Sequence, residues 1–271
     1  MGTSQWKRTY EDRGYLVVAD ILSPQELREI REASDQLVTQ AAQLQESNAV
    51  FQLEKVGGSP KAVVKRIFDP ITVHECYRST MRHPGILEVV TTLLGPNVEF
   101  HHSKAHLKQP EHGSKIEWHR DFTFFPHTNF DLLAVMIAID DSTSANGCLR
   151  VICGSHRWPL VDPEVQQDGF MKAAEREIRK GDIENVRVPA GGISIHHCLL
   201  YHSSLPNRSN QPRRSLIHQF RAADALQLAG RTNHADYGVV VAGKSLPRAR
   251  LVAAEFVLPK GSTDPRDYVR G

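Results

Sequence analysis

Glu99-Phe100-His101-His102-Ser103-Lys104-Ala105-His106-Leu107 and, a few residues on, Lys115-Ile116-Glu117-Trp118-His119-Arg120-Asp121 mark where this sequence changes character. From Val98 onward it reads as short strands, expected at 99–107, 115–119, 132–139, 149–153, 186–188, 192–200 and 215–222. Asn146-Gly147, Gly154-Ser155, Pro189-Ala190-Gly191 and Pro206-Asn207 separate them with residues that favour turns. Many short strands behind one helical front end point to a mainly β fold with flanking helices. The expected architecture is a β-barrel or double-sheet jelly roll with helices packed on one face.

Working outward, residues 1–97 read as mostly helical support. Tyr15-Leu16-Val17-Val18 is a short buried strand. Ser23 caps the next helix, with Pro24 at its first position and Glu26 closing a capping box. Leu27, Ile30, Leu37 and Ala41 then repeat at helical spacing. A second helical region over 72–94 breaks near Pro84-Gly85 and stops at Gly95-Pro96. Within the 98–223 core, an insert over about 159–182 carries a polar helical segment at 169–179 and reads as a lid. Residues 224–271 form a C-terminal extension in which Tyr237, Val239, Val240 and Val241 suggest a pocket-covering or swapped strand. The whole, 1–271, reads as one domain.

The composition excludes several classes. With 33 basic and 31 acidic residues the net charge is +2, so no polyanion-binding field is implied and nucleic acid is not an expected partner. No stretch approaches the roughly 18 apolar residues of a membrane span. The polar start MGTSQWKRTYEDRGY lacks the apolar core of a secretory signal. The four cysteines show no Cys-x-x-Cys spacing and are expected to be reduced. The expectation is a cytoplasmic protein acting on a small molecule, as a monomer or homodimer.

His119 and Asp121 stand two apart, which on a strand places imidazole and carboxylate on one face. A distal histidine completes a two-histidine, one-carboxylate set, the facial triad of non-haem Fe(II) oxygenases, which leaves coordination positions open. His196, His197, His202 and His218 compete for that place. His196 and His202 share a face if the strand continues, and His197 faces away. Trp118, Phe122, Phe124 and Phe125 supply an apolar surround, with Trp118 and Phe122 as candidate substrate contacts. Arg213 follows His202 by eleven residues and is suited to clamp a carboxylate.

Four stretches together carry a family resemblance: Trp118-His119-Arg120-Asp121; Asp140 to Arg157, with Asn146-Gly147 and Gly154-Ser155-His156; His202-Ser203-Ser204-Leu205-Pro206-Asn207-Arg208-Ser209; and Pro212-Arg213-Arg214. Together they resemble the phytanoyl-CoA dioxygenase family of Fe(II)- and 2-oxoglutarate-dependent oxygenases. The likeness runs to about Ala223. It implies His119, Asp121 and His202 as iron ligands and catalytic centre. It implies Arg213 as the clamp on the distal carboxylate of 2-oxoglutarate, with Ser204 beside it, Arg214 ranked second, and Lys104 and Lys65 as weaker cosubstrate contacts. Cys148 and Cys153 stand where that family often has proline, and Met136 where it often has an aromatic. The implied reaction consumes O2 and 2-oxoglutarate, releases succinate and CO2, and hydroxylates or otherwise oxidises a small molecule. A carboxylate at Asp121, rather than Gly or Ala, argues against halogenation. The alternatives are a non-catalytic metal-binding jelly roll and an iron oxidase or epoxidase that uses no 2-oxoglutarate.

Overall fold

The computed structural model describes residues 2–55, 62–110, 113–160 and 183–255. In chain order these form α1 (Thr3–Arg13), β1 (Tyr15–Val18), α2 (Pro24–Ala41), β2 (Phe51–Lys55), β3 (Ala62–Phe68), α3 (Glu75–Thr80) and α4 (Pro84–Leu94). The strands β4 (Val98–Lys108), β5 (Ile116–His119), β6 (Leu132–Ala138), β7 (Leu149–Ile152) and β8 (Ile183–Val186) follow. Last come β9 (Ile193–His197), β10 (His202–Ser204), β11 (Arg213–Ala222) and β12 (Val240–Ala242). The larger sheet runs β1-β9-β6-β11-β4-β3-β2, with β12 beside β4, and the smaller runs β5-β10-β7-β8. All pairings are antiparallel. The result is the double-stranded jelly roll that the strand pattern predicts.

Strand periodicity sorts side chains between two cores. On β6, Leu133, Val135 and Ile137 face the helices, where they pack with Trp6, Tyr10, Ile30, Leu37, Ile86 and Val89. Ala134, Met136 and Ala138 face the smaller sheet and meet Leu149, Val151, Leu200 and Ile217. The same alternation on β9 and β11 sends Ile195, Leu216 and Phe220 to the helix side. Ser194 and Ala134, small and buried, lie on the same between-sheet faces of β9 and β6.

Helix α2 starts as expected. Ser23 Oγ accepts from Glu26 N at 3.2 Å, and Glu26 Oε2 accepts from Ser23 N at 2.8 Å. The region over 72–94 divides into α3 and α4, with Pro84 opening the second piece. Helices predominate over the first 97 residues, and β2 and β3 also lie there, pairing with each other, with β3 extending the large sheet beside β4. Helix α1 was not expected, since Trp6 and Tyr10 are its only buried residues and a polar segment with two apolar positions shows no period. The stretch at 186–188 stops being a strand at Val186, and Val188 makes only an isolated bridge to Ser142. The helical part of the expected lid lies outside the described residues. Val240 and Val241 do form a strand, but it joins β4 at Val98 and Glu99 and packs on the helix side, so it does not cover the cavity.

Candidate metal centre

His119 ends β5, and the chain stays extended through Arg120 (φ −114°, ψ 133°) before a 3-10 turn opens at Asp121. His119 and Asp121 therefore keep the shared side that their spacing predicts, although Asp121 lies beyond the strand. His202 opens β10 and pairs in register with His119. That single pairing brings a distant histidine to the site. The two rings lie 4.1 Å apart, centroid to centroid. Asp121 Oδ1 is 4.0 Å from His119 Nε2 and 3.8 Å from His202 Nε2. One ligand atom from each of the three residues lies within 4.8 Å of the others, and all three residues are buried.

The backbone sets the donor face of each ring. His119 Nδ1 lies 2.8 Å from the Glu117 carbonyl and His202 Nδ1 lies 2.9 Å from the Leu200 carbonyl. A carbonyl only accepts, so each Nδ1 carries the proton and each Nε2 offers a lone pair toward Asp121. Burial disfavours the imidazolium, pushing His119 down to about 4 and His202 well below the usual histidine value. Burial alone would raise the Asp121 carboxyl. The His202 and His196 rings and the Lys104 ammonium outweigh it and hold the group well below the carboxylate range. Gln219 Nε2 also donates to Asp121 Oδ2 at 2.7 Å. Two neutral imidazoles and one ionised carboxylate are the protonation states a divalent metal needs, so the donor set fits iron.

The other candidate histidines separate by strand face. His196 Nε2 lies 3.4 Å from Asp121 Oδ2, beside the triad on its carboxylate side. His197 faces α1, with its ring 5.8 Å from Tyr10. His218 sits in the helix-side core, bonded to Thr80 Oγ1 at 2.8 Å and edge-on to Phe100.

A cavity runs from this centre between the sheets. Arg213, Ser204, Lys104, Phe124, Phe125, His234 and Arg231 are among the residues that line it. Arg213 is 1% exposed. It donates to the Gly147 carbonyl at 2.9 Å and to Ser215 Oγ at 2.6 Å. Its Nε, and the hydroxyls of Ser203 and Ser204, are buried with no hydrogen-bond partner among the described residues. Burial lowers the guanidinium to about 10. Arg213 thus brings a buried cation to the same cavity as the Ser203 and Ser204 hydroxyls, a donor set of the kind that suits an anion. Arg214 points the other way, with Nε and Nη2 each 2.8 Å from an oxygen of Asp140.

Trp118 and Phe122 are not among the cavity-lining residues. Trp118 lies on the outer face of β5, packed with Tyr201, Ile152 and Trp158 and covered by the Arg150 guanidinium at 5.4 Å. Phe122 turns into a separate cluster with Leu132, Cys198 and Leu199. The aromatic walls are Phe124 and Phe125 instead, because the 3-10 turn after Asp121 replaces strand alternation. Lys65 is likewise outside, 4.0 Å from Glu54. Reading from the sequence missed His102 and His106, although with Lys104 they make a visible period-two pattern on β4. It also missed Arg66, Gln219, Arg231 and His234, and no local signal marks the last two.

A jelly roll that buries two neutral histidines on neighbouring strands, with a carboxylate in the turn that follows one of them, has the architecture of a non-haem iron oxygenase. The chain belongs to the phytanoyl-CoA dioxygenase family: the model described as "Phytanoyl-CoA dioxygenase (PhyH)" matches residues 10–215. It is 30% identical over 263 residues to a probable alpha-ketoglutarate-dependent hypophosphite dioxygenase of Stutzerimonas stutzeri, covering 94% of this chain and 92% of that protein. It is 22% identical to the ectoine dioxygenase of Bordetella parapertussis, covering 78% and 72% of the two chains. The crystal structure of EctD from S. alaskensis with bound Fe shares the fold, with a TM-score of 0.71 and 20% identity over 93% of this chain and 88% of that one. The protein is an iron- and 2-oxoglutarate-dependent dioxygenase. No helix among the described residues is long and apolar enough to cross a membrane.

Proposed function

We propose that this dioxygenase hydroxylates a compact small molecule, with Fe(II) held by His119, Asp121 and His202 and 2-oxoglutarate anchored by Arg213. The observation that carries the reading is the pairing, in one cavity, of the buried donor set with the buried Arg213 guanidinium. Iron with 2-oxoglutarate and O2 supplies the oxidising equivalent, yielding succinate, CO2 and an oxidised substrate.

The chain's own residues do the positioning. Asp121 contributes one negative charge, and the amide of Gln219 orients it. Arg213 pairs with the distal carboxylate of 2-oxoglutarate, helped by the Ser204 hydroxyl. Below it, Lys108 donates to the Ser114 carbonyl at 2.9 Å and to the Leu205 carbonyl. Burial and the charge of Arg213 push Lys108 down to about 7, so Arg213 is the better anion partner at neutral pH. Lys104, within electrostatic reach of Asp121, is placed for the other end of the cosubstrate. Phe124, edge-on to His119 at 5.7 Å, keeps bulk water from the reacting face. Likeness to a hypophosphite dioxygenase supports a small polar substrate over a large thioester.

The test is anaerobic loading with Fe(II) and 2-oxoglutarate, oxygen exposure, and quantification of succinate without added substrate. Slow succinate release, absent in Asp121→Ala, is the expected result. Tight iron binding with no succinate would instead support a 2-oxoglutarate-independent oxidase or a binding module.

A further inference from the structure

Building on the iron and 2-oxoglutarate positions proposed above, we infer that Arg66, Arg231 and His234, which all line this cavity, serve as its oxyanion subsite. The substrate is then a compact anion, an oxyanion head on a short carbon body, and the C-terminal extension supplies part of its recognition.

Charge balance is the first argument. Among the described residues, the cavity is lined by four basic side chains, Arg66, Lys104, Arg213 and Arg231, against two carboxylates, Asp69 and Asp121. Divalent iron and the 2-oxoglutarate dianion cancel, so the described lining residues leave an excess of two positive charges around the loaded site. Unmatched charge away from bulk water is costly, and an anionic occupant offsets it. Arg66 has no carboxylate partner among the described residues. Its Nε is buried without a hydrogen bond, and its guanidinium lies 5.7 Å from the Phe68 ring centroid. Arg231 has Nη2 3.6 Å from Asp69 Oδ2 and donates from Nε to Asn233 Oδ1 at 2.6 Å.

The second argument is how firmly the extension is seated. Gly230, at φ +91°, passes so close to the turn after Asp121 that a Cβ there would stand 2.5 Å from the Phe124 carbonyl oxygen. The amide of Gln227 donates to the carbonyls of Ala229 at 2.7 Å and Arg231 at 3.2 Å. His234 stacks on His102 at 4.7 Å and sits 3.4 Å from Asp69 Oδ1, which joins the extension to β4 and to the end of β3. Arg231 and His234 are thus preorganised rather than trailing. Both lie beyond residue 215, where the family match ends, so they are selectivity elements outside the part the family model describes. Phe68, Phe124 and Phe125 line the same cavity and offer apolar contact to a short carbon body.

The test uses full-length protein loaded anaerobically with Fe(II) and 2-oxoglutarate, titrated calorimetrically with propylphosphonate, propanesulfonate, butyrate and neutral butanamide. At least one anion should bind ten-fold or more tighter than the amide and weaken as salt rises. Arg66→Gln and Arg231→Gln should each raise its Kd by about ten-fold or more. The 2-oxoglutarate Kd, measured in parallel on each protein, reports the cosubstrate position separately. Equal binding of amide and anions, or unchanged anion Kd in both variants, overturns the subsite. Anion binding that disappears once 2-oxoglutarate is present also overturns it, because the probe is then occupying the Arg213 end. Failure of 2-oxoglutarate to bind the wild-type protein overturns the cosubstrate reading, and the charge balance falls with it.

Discussion

Replacing Arg213 with methionine should separate binding from folding. The guanidinium is 1% exposed and has no carboxylate within ion-pair distance among the described residues. Burial moves it from 12.5 to about 10. At ~1.36 kcal/mol per pH unit, keeping it charged without an anion costs about 3 kcal/mol. Methionine removes that cost but leaves the Gly147 carbonyl and Ser215 hydroxyl without the Arg213 donor, a loss of about 1–3 kcal/mol. The two effects largely offset each other, so stability without 2-oxoglutarate should move by no more than about 2 kcal/mol. Binding should respond very differently. Truncating one partner of a buried, hydrogen-bonded charge pair costs about 2–5 kcal/mol, or about 30- to 5000-fold in Kd. The assay is anaerobic urea unfolding with Fe(II), with and without 2-oxoglutarate. Wild-type protein should gain about 2.7 kcal/mol at a ligand concentration 100 times its Kd, and the variant almost nothing at the same concentration. A variant that loses more than about 3 kcal/mol of stability yet keeps wild-type 2-oxoglutarate affinity would refute the reasoning. Arg213 would then be a structural cation.

His202→Ala should abolish iron binding. His196→Ala should weaken it about 10- to 100-fold through Asp121, and His197→Ala should leave it unchanged, all measured by anaerobic metal titration. Iron loss in His197→Ala with retention in His202→Ala would overturn the donor set. Stability should fall with acid. His127 at about 4, and His197 and His218 at about 3, lie below the unfolded value of 6.5. Between those limits the unfolded chain binds more protons, so their stabilisation is complete above pH 6.5 and is lost as pH falls toward 4 and 3. At pH 5 each should cost about 2 kcal/mol, and a urea midpoint constant from pH 7.5 to 5 would contradict this. Gly147→Ala should destabilise by about 2 kcal/mol or more and weaken 2-oxoglutarate. Gly147 sits at φ +78°, a Cβ would meet the Leu205 carbonyl oxygen at 2.3 Å, and its own carbonyl anchors Arg213. Wild-type melting and wild-type Kd would show that the turn tolerates a side chain.

What the sequence determined by itself is what local periodicity carries. The capping box at Ser23 and Glu26 sets the start of α2. Alternation on β6, β9 and β11 decides which residues face the helices, and it separates Arg213 from Arg214 and His196 from His197. His119 and Asp121 share a side because one extended residue stands between them. Tertiary structure alone decided what depends on register between distant segments. His202 joins the centre because β10 pairs with β5 opposite His119, a relation that the spacing of histidines does not encode. Trp118 and Phe122 fall away from the cavity because the chain leaves the strand at Asp121, where alternation ends. Arg231 and His234 reach the cavity because Gly230 lets the extension pass against Phe124 and because Asp69 meets both side chains. Periodicity is a property of neighbours along the chain, whereas docking depends on burying side chains that the chain itself holds far apart.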